Sequence, residues 1–348
     1  MYPTRPTLLA LTLGSTLSLL GASAPAITQG ARPAPKSYPN FAQEELTTEY
    51  DASPDWPKRP AHIGEFKDVT GLTVDAGGDI WVFNRGTDPV QVYKPDGTFV
   101  RSWGKGQFNS PHHIRIDPQG FVWTTDFRAH VVRKHTRDGG VLLTLGKWNE
   151  PGENETHLNG PTDVAVLKDG TIFVTDGYFN RRIVQFSPEG KFVRSWGGYG
   201  TRPNQFVLPH AIAVDSRERL YVADRNSGRI QVFDRNGKSL DVWSGVMMPW
   251  GLSFSKRGGE ERLWVCGSSP HWWVRNGKAP EFKDQLFVRF DTKGRVQQTW
   301  AVPLGAANKT ALGECRGAHC IAEDASGNLY VGDVYGIRVQ KFTPATRR

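Results

Sequence analysis

The chain has 348 residues, 38 % of them hydrophobic and 22 % charged, and 43 Lys and Arg against 35 Asp and Glu give a formal charge of +8. That apolar fraction suits a folded core and excludes a wholly disordered chain. The positive charge is scattered through turns (Lys191, Arg217, Arg235, Lys238) among acidic residues, not gathered into a stripe, so no nucleic-acid partner is expected.

At the start of the chain, Arg5 precedes the apolar run Leu8–Leu20 and the small triplet Ala22-Ser23-Ala24, the layout of a signal peptide over residues 1–24. The run is about 13 residues, short of the roughly 20 that a spanning helix needs. No cysteine follows it for lipid attachment. A secreted or periplasmic protein without a membrane anchor is the expectation. Residues 25–60 are Pro-rich, polar and aperiodic, a tail or lead-in, and residues 61–348 carry the folded domain, expected to act as a monomer.

Within that domain one unit recurs. Its clearest copy reads Ala211-Ile-Ala-Val-Asp215, then Leu220-Tyr-Val-Ala-Asp224, then Arg229-Ile-Gln-Val-Phe233, a turn at Gly237 and a close at Val242-Trp243. Other copies begin at Leu72, Ile114, Asp163 and Ile321, and a degraded one at Gly251 carries an insertion over Gly267–Phe282. Successive copies lie about 50 residues apart, the spacing of propeller blades. Each copy supplies four short alternating strands with turn residues between them. Such a sheet has two apolar faces and is unstable alone; six arranged radially bury both faces of each. The sequence therefore predicts an all-β, six-bladed β-propeller. Its last copy ends with a third strand at Val339–Phe342, so the lead-in before Gly71 is expected to supply the missing fourth. Three cysteines (Cys266, Cys315, Cys320) make no disulfide framework, although a Cys315–Cys320 bridge is open to an exported protein.

The first strand of each blade lines the central channel, so one repeat position from all six blades forms a ring. Five residues before the repeat aspartate the blades carry Thr70, His112, Thr162, His210, Trp250 and His319. Histidine occurs 9 times in the chain, yet it fills every alternate position of this ring. Three neutral imidazoles with an open fourth position are the usual catalytic zinc arrangement, with iron, copper or manganese also compatible. Around the ring, Arg85, Tyr178 and Arg225 occupy the loops after the second strands. An arginine there can clamp a carboxylate, and a tyrosine beside a cation and arginines can have a lowered pKa and act as a base.

Pro161-Thr-Asp-Val-Ala-Val, Phe173-Val-Thr-Asp-Gly-Tyr178-Phe-Asn, Arg182-Ile-Val-Gln-Phe and Ala223-Asp-Arg225-Asn-Ser-Gly-Arg-Ile-Gln resemble the peptidyl-α-hydroxyglycine α-amidating lyases, propellers of NHL-type repeats. The resemblance runs from about Thr70 to Phe342. It implies zinc on His112, His210 and His319, Tyr178 as the base, and Arg85 and Arg225 at the substrate. The partner implied is a small molecule or peptide ending in an α-hydroxyglycine-like group, split into an amide and glyoxylate. A calcium ion is also implied, bound in part by backbone carbonyls near Leu72 and Ile114. Three positions depart from the family pattern: Cys320 stands in place of a calcium-binding aspartate, Gly317 in place of a methionine, and Phe179 in place of a disulfide cysteine. The other functions open to such a chain are a non-catalytic binding propeller and a metal-dependent lactone or ester hydrolase.

Overall fold

In the computed structural model the described residues are 50–245, 247–268, 285–306 and 310–345. The signal peptide read over residues 1–24, most of the lead-in and most of the insertion lie outside them. The described strands form six four-stranded antiparallel sheets. The inner strands are Val69–Val74, Pro111–Ile116, Asp163–Val166, Pro209–Val214, Met248–Arg257 and Ala318–Glu323. The chain is an all-β, six-bladed propeller.

The repeat aspartate has a clear physical role. Asp215 accepts hydrogen bonds from the amides of Arg217 and Arg219 and from the Tyr221 hydroxyl, closing the hairpin between the first two strands. Asp75 and Asp117 do the same with the indoles of Trp81 and Trp123, and Asp324 with Tyr330. A carboxylate with two backbone donors fixes the turn, and the aromatic ring it holds fills the core between blades. In the fifth blade that aspartate is missing, and Trp264 donates instead to Glu323 of the sixth blade at 2.8 Å.

The second aspartate of the repeat works at the opposite end. Asp126 accepts from the amides of Asn109 and Ser110, Asp224 from Val207 and Leu208, and Asp333 from Arg316 and Gly317. These are the residues that lead into the inner strands carrying His112, His210 and His319. The aspartates therefore set where each histidine strand enters the channel.

Tyr50–Ala52 pairs antiparallel with Arg338–Pro344 and is the fourth strand of the sixth blade. It lies inside the segment read as lead-in, so the propeller begins before residue 61. The open question of a bridge is also settled: Cys315 and Cys320 are both free. Cys315 packs with Trp264, Trp300 and Phe342 between the fifth and sixth blades, whereas Cys320 packs with Val69, Leu72 and Tyr330 between the sixth and first.

Candidate metal centre

At the start of their inner strands, His112, His210 and His319 converge on the channel axis. Their ring centroids are 4.8 Å apart in all three pairs, and the rings are steeply inclined to one another. All three are buried, with one nitrogen from each in a single cluster able to hold a metal ion.

What holds each ring is the next blade's main chain. His112 Nδ1 donates to the carbonyl of Thr162 at 2.6 Å, His210 Nδ1 to that of Trp250 at 2.6 Å, and His319 Nδ1 to that of Thr70 at 2.7 Å. The three residues between the histidines in the ring are thus their acceptors. With the Nδ1 proton engaged, each imidazole presents the Nε2 lone pair to the axis, the orientation that a metal-binding histidine requires. Two of the spacers do more. Thr70 Oγ1 donates to the carbonyl of Pro111 at 3.1 Å and Thr162 Oγ1 to that of Pro209 at 2.8 Å. Each hydroxyl therefore anchors the residue immediately before the next blade's histidine.

Burial, reinforced by neighbouring imidazoles and guanidinium groups, holds the pKa of all three histidines well below the ordinary value. They are neutral at physiological pH, as ligands must be. His113 and His135 are also buried, and burial lowers both to about 4. The sign of the resulting pH dependence follows from linkage. Above about pH 6.5 both folded and unfolded chains keep these rings neutral. Below it the unfolded chain takes up protons that the native state refuses, so stability falls. Each such histidine contributes about 1.4 kcal/mol of loss per pH unit until its own folded pKa is reached. Metal-free protein should accordingly melt at steadily lower temperature from pH 6.5 to 5, and a flat profile over that range would contradict the buried neutral histidines.

Tyr178 lies over this ring. Its hydroxyl is 2.9 Å from His112 Nε2 and 3.3 Å from His210 Nε2, so the phenol oxygen adjoins the point where the lone pairs meet. The approach depends on Gly177, where a Cβ would stand 1.9 Å from the carbonyl oxygen of Pro209. Only glycine lets this loop press against the His210 strand.

Burial pushes the pKa of the Tyr178 phenol above its ordinary value and outweighs Arg225 and Arg85, which pull it down. The lowered pKa expected beside a cation and arginines is thus not produced by the protein groups alone.

The two arginines flank the ring. Arg85 is tied by Nη1 to Asp68 at 2.9 Å and by Nε to the carbonyl of Pro111 at 3.2 Å, and stacks on Phe127. Arg225 lies 4.4 Å over the Trp250 ring, close enough to Tyr178 for its charge to pull the phenol's pKa down. Both guanidinium charges are felt by Tyr178 and His319. The structure therefore gathers His112, His210, His319, Tyr178, Arg85 and Arg225 at one mouth of the channel. Leu72 and Ile114 sit further down adjoining inner strands as buried apolar residues.

Sequence reasoning missed Phe127, whose ring is 5.1 Å from Tyr178 and 5.9 Å from His112. Its place in the loop after the second strand, matching Arg85 and Tyr178, is the signal that could have found it. It also missed the carbonyl acceptors, since a backbone oxygen leaves no trace in residue type. A cavity of about 800 Å³ opens at the other mouth. Of the acidic residues that line it, Asp75, Asp117 and Asp215 are engaged in the hairpin turns.

Comparison with known proteins gives an NHL-repeat family match at residues 206–233. A rat peptidylglycine alpha-amidating monooxygenase is 33 % identical over 83 % of this chain and 31 % of its own length. The chain thus spans about a third of that relative. A probable peptidyl-alpha-hydroxyglycine alpha-amidating lyase of Caenorhabditis elegans is 27 % identical over 75 % of this chain and 71 % of its own. The mouse NHL repeat-containing protein 3 is 31 % identical over 83 % of this chain and 82 % of its own. Among solved structures, a streptogramin B lyase shares the fold with a TM-score of 0.56 at 14 % identity, covering 86 % of this chain and all of that one.

Proposed function

We propose a zinc-dependent carbon–nitrogen lyase on the premise that this chain belongs to the NHL-repeat propeller family and is a relative of the peptidyl-α-hydroxyglycine α-amidating lyases. The observation that carries the reading is the ring of three imidazoles turned to the channel axis with the Tyr178 hydroxyl against two of their Nε2 atoms. A binding propeller has no need of three buried imidazoles whose ligand atoms gather in one cluster. A hydrolase built on acidic ligands is disfavoured by the histidine level of the channel, whose ring holds only Thr, His and Trp.

Zinc held by His112, His210 and His319 would supply a Lewis acid for the substrate's α-hydroxyl. Arg85, fixed by Asp68 and the Pro111 carbonyl, offers its guanidinium to the glycine carboxylate, a charge-assisted contact that sets the orientation. Tyr178, turned towards the same point, takes the hydroxyl proton, and Arg225 stabilises the phenolate that accepts it. As that proton leaves, the C=O of glyoxylate forms, the C–N bond breaks, and the amide nitrogen gains a proton. Nothing is oxidised or reduced.

Incubation with N-benzoyl-α-hydroxyglycine and a glyoxylate assay tests this reading. Wild-type protein loaded with zinc should release glyoxylate, and Arg85→Ala should raise KM by about 10- to 100-fold, the usual worth of a hydrogen bond to a charged group. Metal-loaded protein that releases none would instead mark a non-catalytic binding propeller.

A further inference from the structure

The calcium ion that the family resemblance implies does not fit the residues of this channel. Calcium takes six to eight oxygen ligands, among them carboxylates. At the position of the expected aspartate stands Cys320, buried with its sulfur towards Gly332 and Val69. A sulfur packed in this apolar layer is no substitute for the oxygen ligands that a hard cation takes.

The carboxylate that does reach this level belongs to Asp163, and it is fully committed. Its oxygens accept from Arg115 Nε at 2.9 Å and Nη2 at 2.5 Å, and from the amides of Val164 at 2.8 Å and Ile212 at 3.0 Å. The Asp163 side chain has no solvent exposure, and that of Arg115 keeps 16 %. Such a bidentate, buried pair is the strong form of the interaction. It also crosses the ring, because Arg115, Asp163 and Ile212 belong to the second, third and fourth blades.

The repeat shows that Arg115 has been accommodated. The equivalent inner-strand positions in the other blades are Thr73, Ala165, Ala213, Ser253 and Ala322, all small. They leave room in the channel for one long side chain. Arg115 lies three residues past His112, about 10 Å further along the strand, and borders the cavity of the far mouth.

We propose that Arg115 is the built-in structural cation of this propeller: through Asp163 it makes the cross-blade tie that calcium would make, so the chain neither binds nor needs calcium. The inference concerns stability and stands apart from the catalytic reading. A lyase that fails to act could still be calcium-blind, and an active one could still bind calcium.

The test is calorimetric titration and thermal melting of chelator-stripped, desalted protein with millimolar CaCl2. The expected result is no saturable heat and a melting temperature unchanged within about 1 °C. One equivalent of bound calcium, or a rise of several degrees, overturns the proposal. A paired exchange, Arg115→Ala with Cys320→Asp, removes the guanidinium and restores the carboxylate. It should gain a calcium-dependent rise in melting temperature, and a folded exchange variant that ignores calcium would count against Arg115 as the replacement. Should that variant fail to fold, the wild-type titration alone still decides.

Discussion

Tyr178→Phe is expected to lower kcat by about 10²- to 10⁴-fold, the usual contribution of a positioned general base, while its metal content stays at the wild-type level. The separation follows from geometry. The hydroxyl is the one part of Tyr178 that meets His112 Nε2 and His210 Nε2, whereas each histidine is held by Nδ1 through a carbonyl on another blade. Removing the hydroxyl leaves those anchors alone. His210→Ala gives the opposite pattern, because a ring of two imidazoles loses metal and activity together. The contrast between the variants is the informative result. If Tyr178→Phe lost its metal, or kept wild-type kcat, the tyrosine would be a structural prop or a bystander.

The second large effect concerns closure of the ring. Deleting residues through Ala52 removes the fourth strand of the last blade. Tyr50 packs against Trp300 at 5.0 Å and Trp264 at 6.3 Å, and the strand pairs with Arg338–Pro344 over three residues. Losing about three backbone hydrogen bonds at roughly 1 kcal/mol each, together with the aromatic contacts, should cost about 4 kcal/mol. It also bares the edge of the last strand and part of the Trp300 cluster, a template for pairing between chains. The truncated protein should therefore melt at lower temperature and self-associate in sedimentation analysis. A monomeric truncation with wild-type melting temperature would mean that the ring is closed without this strand.

Much of this was legible in the sequence because a propeller turns a repeat into a ring. His112, His210 and His319 are scattered along the chain and meet only through repeat phase. That phase could be read because an aspartate closes the first hairpin in four of the six blades, where the turn needs it. The fifth blade was the faintest copy because, besides lacking that aspartate as the third does, it carries the insertion, and Trp264 borrows Glu323 from the next blade. Other features were hidden by their physics. The Nδ1 acceptors are backbone oxygens of Thr70, Thr162 and Trp250, which residue type does not specify. The direction of the Tyr178 shift depends on the balance between burial and two guanidinium groups, which only coordinates reveal. Arg115 and Asp163 are ordinary charged residues in the sequence; their pairing shows only when two repeat positions from neighbouring blades are overlaid.

The central claim is that His112, His210 and His319 hold one metal ion on which the reaction depends. Zinc titrated into chelator-stripped protein, with glyoxylate release from N-benzoyl-α-hydroxyglycine followed at each addition, measures this in a single curve. No release is expected without metal, then a rise that breaks at one equivalent of zinc. Release that is already full in stripped protein, or that stays absent past the break, would contradict it.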